Sequence, residues 1–304
     1  MLVDSAIAKS VFCKLVNQGE LPCLHIKHPK FFAEICLQGA QLTKFTPSNK
    51  PDLIWLSSTS EYNIGQGLRG GIPICWPWFG SLAKNNDAIT DQVSESTCDY
   101  DSLAHGFVRR LEWSLSEYTE NAHGIELALS IQHSAETLKI WPFEFNLTCR
   151  FILTDKLEVK LETTNLSDRT MNFSQALHTY FPTKNIHKTK ILGAEGQNYV
   201  DALDDWKVKK QNHSISIKEE VDRIYYGEAN YKILTPQQII TLISNSNSSV
   251  IWNPWINKSK RLSQYGHNDY ENMLCIESAN VLNDSVNLAS QQTHTLELKI
   301  SGED

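Results

Sequence analysis

The sequence has no apolar stretch that approaches the roughly 20 residues needed by a membrane-spanning helix. It also lacks a run of lysines and arginines: the chain has 28 of these residues and 35 aspartates and glutamates, for a formal net charge of −7. A nucleic-acid-binding surface requires clustered positive charge. We therefore expect neither a membrane nor a nucleic acid as a partner, although one or two arginines could still bind a small anionic substrate.

Cysteine is sparse, and no CxxC spacing occurs. The seven cysteines are odd in number and widely spaced: Cys13, Cys23, Cys36, Cys75, Cys98, Cys149 and Cys275. We therefore expect reduced thiols, with neither a metal site nor a disulfide framework. The first 16 residues contain Asp4, Lys9 and Lys14 and no uninterrupted apolar core, unlike a secretory signal peptide. Together these features predict a cytoplasmic location.

Apolar and polar residues alternate along much of the chain, which is the pattern of half-buried β-strands. Segments that alternate or run apolar are 31–37, 124–133, 145–153, 156–164 and 294–300. Residues 154–156 predict a tight turn, and residues 237–244 and 250–255, separated by NSNSS, predict another hairpin. Helical periodicity is scarce, and only residues 200–210 suggest a short helix.

The number and spacing of these strands predict an all-β fold, an antiparallel sandwich or barrel. The sequence has no solenoid repeat, no low-complexity segment and no linker, so we expect one domain that spans residues 1–304. The polar stretch 81–104 lies between two unusual motifs. We expect it to be a long surface loop at the rim of a site.

Residues 65–70 match GxGxxG, but a dinucleotide site needs a strand before this motif and a helix after it. After the motif come Gly71, Ile72 and Pro73, and the proline disfavours that helix. A nucleotide site is therefore not expected. His25 and His28 would point to opposite faces of a strand and would not share a metal ion. The remaining histidines without a recognisable partner are expected to be solvated or buried: His187, His213, His267 and His294.

Four stretches contain residues that could perform chemistry: RGGIPICWPWFG (69–80), AHGFVRRLEW (104–113), ALHTYF (176–181) and MLCIES (273–278). In the last two, His178 and Glu277 each lie within an apolar strand-like run. A histidine and a glutamate in such surroundings can form an acid/base pair with shifted pKa values. Taken singly, each has a structural alternative: His178 as a core histidine and Glu277 as an ion-pair partner. These patterns indicate an all-β protein and favour an enzyme that acts on a sugar or an acyl group.

The chain resembles the hexose-6-phosphate mutarotases in six motifs, which follow in the order RGGIPICWPWFG, HGFVR, LHTYF, NYVD, WNPW and MLCIE. This is the glucose-6-phosphate 1-epimerase branch of the aldose 1-epimerase, or galactose mutarotase-like, superfamily. The resemblance runs from about residue 69 to 280. It implies a large antiparallel β-sandwich (a supersandwich) and an isomerase that interconverts the α and β anomers of aldohexose 6-phosphates, glucose 6-phosphate above all. It also implies a small-molecule sugar phosphate as substrate, no cofactor and no metal, in a monomer or weak dimer.

The resemblance assigns acid/base roles to two residues and a supporting role to a third. His178 in LHTYF corresponds to the general acid, and Glu277 in MLCIE to the general base. His105 in HGFVR corresponds to a second histidine, which helps to hold the sugar. Taken alone, His105 would be interpreted as a turn histidine.

The resemblance also predicts substrate-binding residues. Arg69 and Arg109 correspond to a phosphate clamp, because the planar guanidinium matches a phosphate group. Asp201 in NYVD corresponds to a carboxylate that binds sugar hydroxyl groups. The chain departs from the family at the next position, where Ala202 stands in place of an expected lysine.

Three aromatic residues of the first motif have two possible roles. Trp76, Trp78 or Phe79 could offer an apolar face to the sugar ring, with core packing equally open for two of the three. The function also has two alternatives: an aldose 1-epimerase for unphosphorylated hexoses, and a non-catalytic carbohydrate-binding module on the same sandwich. The paired arginines argue against the first, and the acid/base pair argues against the second.

Overall fold

Strands dominate the protein. The computed structural model describes residues 7–94 and 103–303, and these form twenty-two strands arranged in two eight-stranded sheets, a four-stranded sheet and a two-stranded pair. Every pairing between these strands is antiparallel. The expectation of an all-β antiparallel sandwich is confirmed.

One eight-stranded sheet carries most of the motifs, and we call it the site sheet. Its strands, in spatial order, are β15 (Lys207–Lys210), β14 (Asn198–Asp201), β16 (Val221–Tyr226), β19 (Ser248–Asn253), β20 (Met273–Asn280), β11 (Gln175–Leu177) and β5 (Ile74–Cys75). The eighth strand, β12 (Tyr180–Pro182), also pairs with β20. The centre of the sheet is therefore β20, which is buried along its whole length.

The other eight-stranded sheet, the back sheet, contains the long alternating segments. Its order is β13 (Lys190–Leu192), β17 (Asn230–Leu234), β18 (Ile239–Ser244), β22 (Thr293–Glu303), β9 (Leu157–Asn165), β8 (Phe145–Leu153), β7 (Gly124–Gln132) and β6 (Ser114–Asn121). In β8 and β9 every second side chain is buried, as the sequence pattern predicts. Thr154 and Lys156 form the predicted turn between them.

The two large sheets pack against each other through an apolar core. In β20, Leu274 and Ile276 belong to the core shared with back-sheet residues such as Leu161. Cys275 points to the opposite face, where a second apolar cluster lies. Because successive side chains of a strand alternate between faces, Glu277 also points away from the back sheet. The open face of the site sheet is thus where polar residues can meet a ligand.

The four-stranded sheet consists of β1 (Cys13–Gln18), β2 (Leu21–His28), β3 (Phe31–Cys36) and β4 (Gln41–Pro47). The expectation that all thiols are reduced is wrong in one place: Cys23 and Cys36 form a disulfide. They are 13 residues apart, and the β2–β3 register places them directly opposite each other. Spacing along the sequence does not reveal that register. Four other cysteines are free and buried (Cys13, Cys75, Cys149 and Cys275), and Cys98 lies outside the described residues.

Two further sequence predictions fail. Residues 200–210 form no helix, because the end of β14 turns into β15 as a hairpin. Strands β18 and β19 exist as predicted but do not pair with each other: β18 pairs with β17 and β22, and β19 with β16 and β20. The intervening residues carry the chain from the back sheet to the site sheet. Adjacent strands in sequence therefore lie in different layers.

The remaining elements are short. Residues 7–9 are helical, and further α-helices of the described residues are α1 (Asp87–Thr90), α2 (Ala135–Ile140) and α3 (Trp255–Ser259). Strand β10 (Met171–Phe173) pairs with β21 (Val286–Leu288). Single 3₁₀ turns occupy Leu82–Lys84, Val108–Arg110, Ile186–Lys188, Asp269–Glu271 and Leu282–Asp284. The second of these turns lies within the HGFVRR stretch. Among the described residues, no helix is long and apolar enough to cross a membrane.

Candidate active site

A cavity of about 320 Å³ lies on the open face of the site sheet. Its walls come from segments far apart in sequence: the motif at 69–80, the following loop, strands β16, β19 and β20, and helix α3. Of the six residues predicted for the site, four line this cavity: Arg69, His105, His178 and Glu277. The structure does not bring Arg109 and Asp201 into its lining.

His178 lies between β11 and β12, where the chain leaves the sheet for two residues. Its backbone N–H donates to Pro73 O at 3.0 Å, which ties it to the glycine- and proline-rich motif. The imidazole stacks on the ring of Tyr180 with a centroid separation of 4.9 Å. These contacts fix the orientation of the ring and aim Nε2 at Glu277 Oε1, 3.3 Å away.

Glu277 is 1% exposed in the middle of β20. Its neighbour on β19 is the apolar Val250. Within the described residues, Glu277 Oε2 and His178 Nδ1 are buried without a hydrogen-bond partner. Buried polar atoms are normally satisfied, and such exceptions concentrate where a protein meets a ligand or performs chemistry.

Burial shifts the pKa values of this pair in opposite directions, because it disfavours the charged form of each group. The pKa of His178 falls to about 3, lowered first by burial and then by the positive charges of Arg69 and Arg109. The pKa of Glu277 is raised well above its ordinary value by burial and by the Asp222 carboxylate. In the ligand-free protein, burial therefore favours the uncharged form of both groups.

His105 faces His178 across the cavity, with ring centroids 5.6 Å apart. Its Nδ1 lies 3.3 Å from Gly80 N and 3.3 Å from Cys75 Sγ. A backbone N–H can only donate, so Nδ1 is the acceptor and we assign the ring proton to Nε2. Burial, first of all, and neighbouring positive charges hold the pKa of His105 well below its ordinary value. The residue is thus a neutral hydrogen-bond donor.

The aromatic residues of the 69–80 motif divide between two roles. Trp76 and Trp78 are fully buried core residues. Phe79 lines the cavity and packs edge-on against His105, at a centroid distance of 4.9 Å. Only this third ring is placed to touch a ligand.

The two arginines occupy different positions. Arg69 lines the cavity, and its Nε donates to Ser263 O at 3.5 Å. Arg109 lies behind His105, where its Nη2 donates to Ala104 O at 2.7 Å. Arg109 still affects the site, because its charge lowers the pKa of both His105 and His178.

Asp201 is used structurally. Its carboxylate accepts from Lys209 Nζ at 2.8 Å and from Leu203 N at 3.2 Å, away from the cavity. The next residue, Ala202, does line the cavity. The position where a lysine was expected therefore faces the site and presents a methyl group.

The sequence reasoning missed a carboxylate and two lysines in the lining: Asp222, Lys84 and Lys258. Asp222 lies on β16, and its pKa is raised, chiefly by burial. Lys258 Nζ is 3.1 Å from Glu220 and 3.8 Å from Asp222. The run EEVDRIYY (219–226) contained a signal for Asp222. Residues two positions apart in a strand share a face, so Asp222 lies on the same face as the apolar Ile224.

The stretch predicted to rim the site does so in its described part. Ser81, Lys84 and Asn85 line the cavity. Residues 95–102 of the same stretch lie outside the described residues. The other histidines do not line the cavity: His25 pairs with Glu34 at 2.8 Å, and His28 Nε2 contacts Asn121 O at 3.0 Å.

Comparison with known proteins gives a consistent set of relatives. Residues 22–301 match the family model described as aldose 1-epimerase. An Escherichia coli K12 protein named "Putative glucose-6-phosphate 1-epimerase" is 29% identical over 265 residues, which is 86% of this chain and 83% of that protein. A Cenchrus ciliaris protein of the same name is 30% identical over 263 residues, covering 82% and 75% of the two chains.

Solved structures with the same fold are also found. A crystal structure of "a putative mutarotase (YeaD)" from Salmonella typhimurium superposes with a TM-score of 0.86 at 25% identity, covering 100% of both chains. Galactose 1-epimerase from Lactobacillus acidophilus superposes with a TM-score of 0.70 at 13% identity, covering 96% of this chain and 98% of that one. The second likeness concerns the fold alone.

Proposed function

Because the chain belongs to the aldose 1-epimerase family, we propose that it interconverts the α and β anomers of aldohexose 6-phosphates, with glucose 6-phosphate as its main substrate. The names of the E. coli and C. ciliaris relatives support the choice of substrate. The observation that carries the proposal is the His178–Glu277 pair, 3.3 Å apart in a cavity that Arg69 also lines.

Anomerisation requires two proton transfers. The ring oxygen must gain a proton and the C1 hydroxyl must lose one, after which the C1–C2 bond rotates and the ring closes on the other face. His178 is the acid that protonates the ring oxygen, and Glu277 is the base that receives the hydroxyl proton. Reclosure reverses both transfers, so the pair regains its starting state. His105, through Nε2–H, donates to a sugar hydroxyl and holds the ring in place.

The phosphate group gives this site a way to place its proton correctly. In the ligand-free protein, the charges of Arg69 and Arg109 contribute to the low pKa of His178. A phosphate dianion bound by Arg69 offsets positive charge, so it raises the pKa of His178. Substrate binding thereby favours the imidazolium form of His178, the form that donates a proton in ring opening.

Two observations favour a second candidate, an aldose 1-epimerase for unphosphorylated hexoses. Arg109 is outside the cavity lining, and Ala202 replaces the expected lysine. Both reduce the positive charge available to a phosphate compared with the predicted clamp. A non-catalytic carbohydrate-binding module has less support, because binding a sugar needs no buried acid/base pair.

The test is the rate of anomerisation of freshly dissolved α-glucose 6-phosphate, with α-glucose measured in parallel. A dehydrogenase selective for the β anomer reports each rate. We expect strong acceleration for the phosphate ester and a loss of about 10²–10⁴-fold in His178→Asn and in Glu277→Gln, the usual contribution of a general acid or base. The exposed His187→Asn is the control and should retain wild-type activity.

If the protein accelerates the anomerisation of glucose but not of glucose 6-phosphate, the proposed substrate becomes an unphosphorylated hexose. If neither sugar is accelerated by a folded wild-type protein, the enzymatic proposal is wrong and the binding module replaces it.

A further inference from the structure

Two side chains meet at the rim of the cavity from segments 122 positions apart. The Lys84 ammonium lies over the indole of Trp206, 5.4 Å from the ring centroid. Both residues line the cavity, Lys84 from the loop after the 69–80 motif and Trp206 from the turn between β14 and β15. Their contact connects opposite walls.

Lys84 is exposed, and among the described residues it has no carboxylate partner. The loop beneath it is nevertheless firmly built. Asn85 Nδ2 donates to Phe79 O and to Ser81 O, both at 3.0 Å, and Asn85 Oδ1 accepts from Ser174 Oγ at 2.5 Å. The Lys84 ammonium is therefore a charge without a carboxylate partner, and the loop that carries it is fixed by hydrogen bonds. This arrangement suits an anionic ligand.

Trp206 is held in an unusual backbone conformation. Asp205 and Trp206 are consecutive non-glycine residues with positive φ, of 49° and 58°. Such residues carry a conformational penalty and persist where the surrounding structure enforces them. Here Lys207 and Lys209 each bind Asp204 at 2.7–2.8 Å and stabilise the turn. The turn keeps a large apolar side chain 36% exposed at the cavity.

We propose that Lys84 and Trp206 form a rim clamp for a phosphorylated sugar: Trp206 packs on the apolar face of the sugar ring, and Lys84 binds the phosphoryl group. An indole offers a sugar ring a rigid apolar surface, and an ammonium gives a phosphate a mobile point charge. The clamp supplies from the opposite wall the positive charge that Ala202 does not provide. This inference rests on the proposed function, because the ligand of Lys84 is the phosphate of that substrate.

The two halves of the clamp make different predictions for two substrates. Trp206→Ala should raise KM for both glucose 6-phosphate and glucose by a similar factor, about 3–10-fold, since both have the sugar ring. Lys84→Gln should raise KM for glucose 6-phosphate alone, by about 3–10-fold at low ionic strength, with a smaller effect at 0.5 M salt. In both variants kcat should stay near wild type, because neither residue contacts His178 or Glu277.

The controls come from the same hairpin. Lys210→Gln removes an exposed charge that is outside the cavity lining, and Leu203→Ala removes an exposed apolar side chain of the turn that contains Trp206. Both should leave KM unchanged for both sugars, and unfolding midpoints should confirm that all four variants fold.

The outcomes separate this inference from the proposed function. A wild type that prefers glucose 6-phosphate, combined with unchanged KM in Lys84→Gln and Trp206→Ala, overturns the clamp and leaves the proposed function intact. An equal rise of KM for both sugars in Lys84→Gln overturns the phosphate role of Lys84. A wild type without anomerase activity contradicts the proposed function itself.

Discussion

At the scale of the residue, the site depends on groups whose charged forms are disfavoured by burial. His178 is held by Pro73 O through its backbone N–H, and by the Tyr180 ring and Glu277 through its imidazole. Burial thus favours the uncharged forms of both the histidine and the glutamate. This arrangement has a thermodynamic signature, because a group whose pKa differs between the folded and unfolded chain makes stability depend on pH.

His178→Asn should flatten the loss of stability in acid. The folded-state pKa of His178 is about 3, against 6.5 for an ordinary histidine. Between these values His178 binds a proton in the unfolded chain but not in the folded chain, so its contribution to folding stability falls as pH falls from about 6.5 towards 3. The wild type should lose roughly 1.4 kcal/mol per pH unit more than the variant in this window.

Urea unfolding at pH 6, 5 and 4 measures this difference. The exposed His187→Asn should run parallel to the wild type. Identical slopes for the wild type and His178→Asn would show that His178 is not buried as a neutral group.

At the scale of the element, the site depends on how closely two loops approach. Gly106 follows His105 and has φ of +71°. A Cβ built on it would lie 1.9 Å from Trp76 O, so only glycine allows this contact between the 69–80 motif and the 3₁₀ turn at Val108–Arg110. The contact sets the position of His105 in the cavity.

Gly106→Ala should destabilise the protein by about 3 kcal/mol or more, because the backbone must separate from Trp76. Gly80→Ala is a matched control: its φ is +64°, yet nothing lies within 4 Å of its Cβ position. That variant should lose only about 1–2 kcal/mol, the penalty of the left-handed conformation alone. Denaturant unfolding compares the two, and equal losses would mean that the close approach is not required.

Sequence patterns predicted the positions of strands better than they predicted which strands pair. Alternation located β8 and β9 and the turn between them, because the pattern of burial is local. The supposed hairpin of β18 and β19 failed since strand pairing depends on which layer each strand joins. The sequence of residues 200–210 is compatible with a short helix and with the observed hairpin, and no local pattern distinguishes the two.

The same limit applies to the site. The apolar runs around His178 and Glu277 indicated buried polar groups, and the structure brings these two together. Asp201 and Asp222 are both aspartates near strands, and only the three-dimensional register shows that Asp222 faces the cavity while Asp201 pairs with Lys209. The catalytic roles of all these residues stay predictions until the variants are measured.

At the scale of the whole molecule, the Cys23–Cys36 disulfide acts on the unfolded chain. It closes a loop with a sequence separation of 13. Such a cross-link restricts the denatured ensemble and, for a loop of about 15 residues, stabilises the fold by about 3 kcal/mol in the chain-entropy description. Reductant should therefore lower the unfolding free energy of the wild type by about 2–3 kcal/mol.

The Cys23→Ala/Cys36→Ala double variant provides the control, because reductant should not change its stability. Urea unfolding with and without dithiothreitol measures both proteins. A wild type that is equally stable in both conditions would contradict a stabilising cross-link.

The position of β22 in the back sheet has a consequence for how the chain is made. This strand, the last in sequence, lies between β18 and β9 and joins the two halves of the sheet. During translation, β6 to β9 emerge early and β17 and β18 much later, yet nothing links them until residues 293–303 have left the ribosome. The nascent chain must therefore carry open sheet edges at β9 and β18, the kind of surface that chaperones protect and that aggregates form on, until β22 has been synthesised.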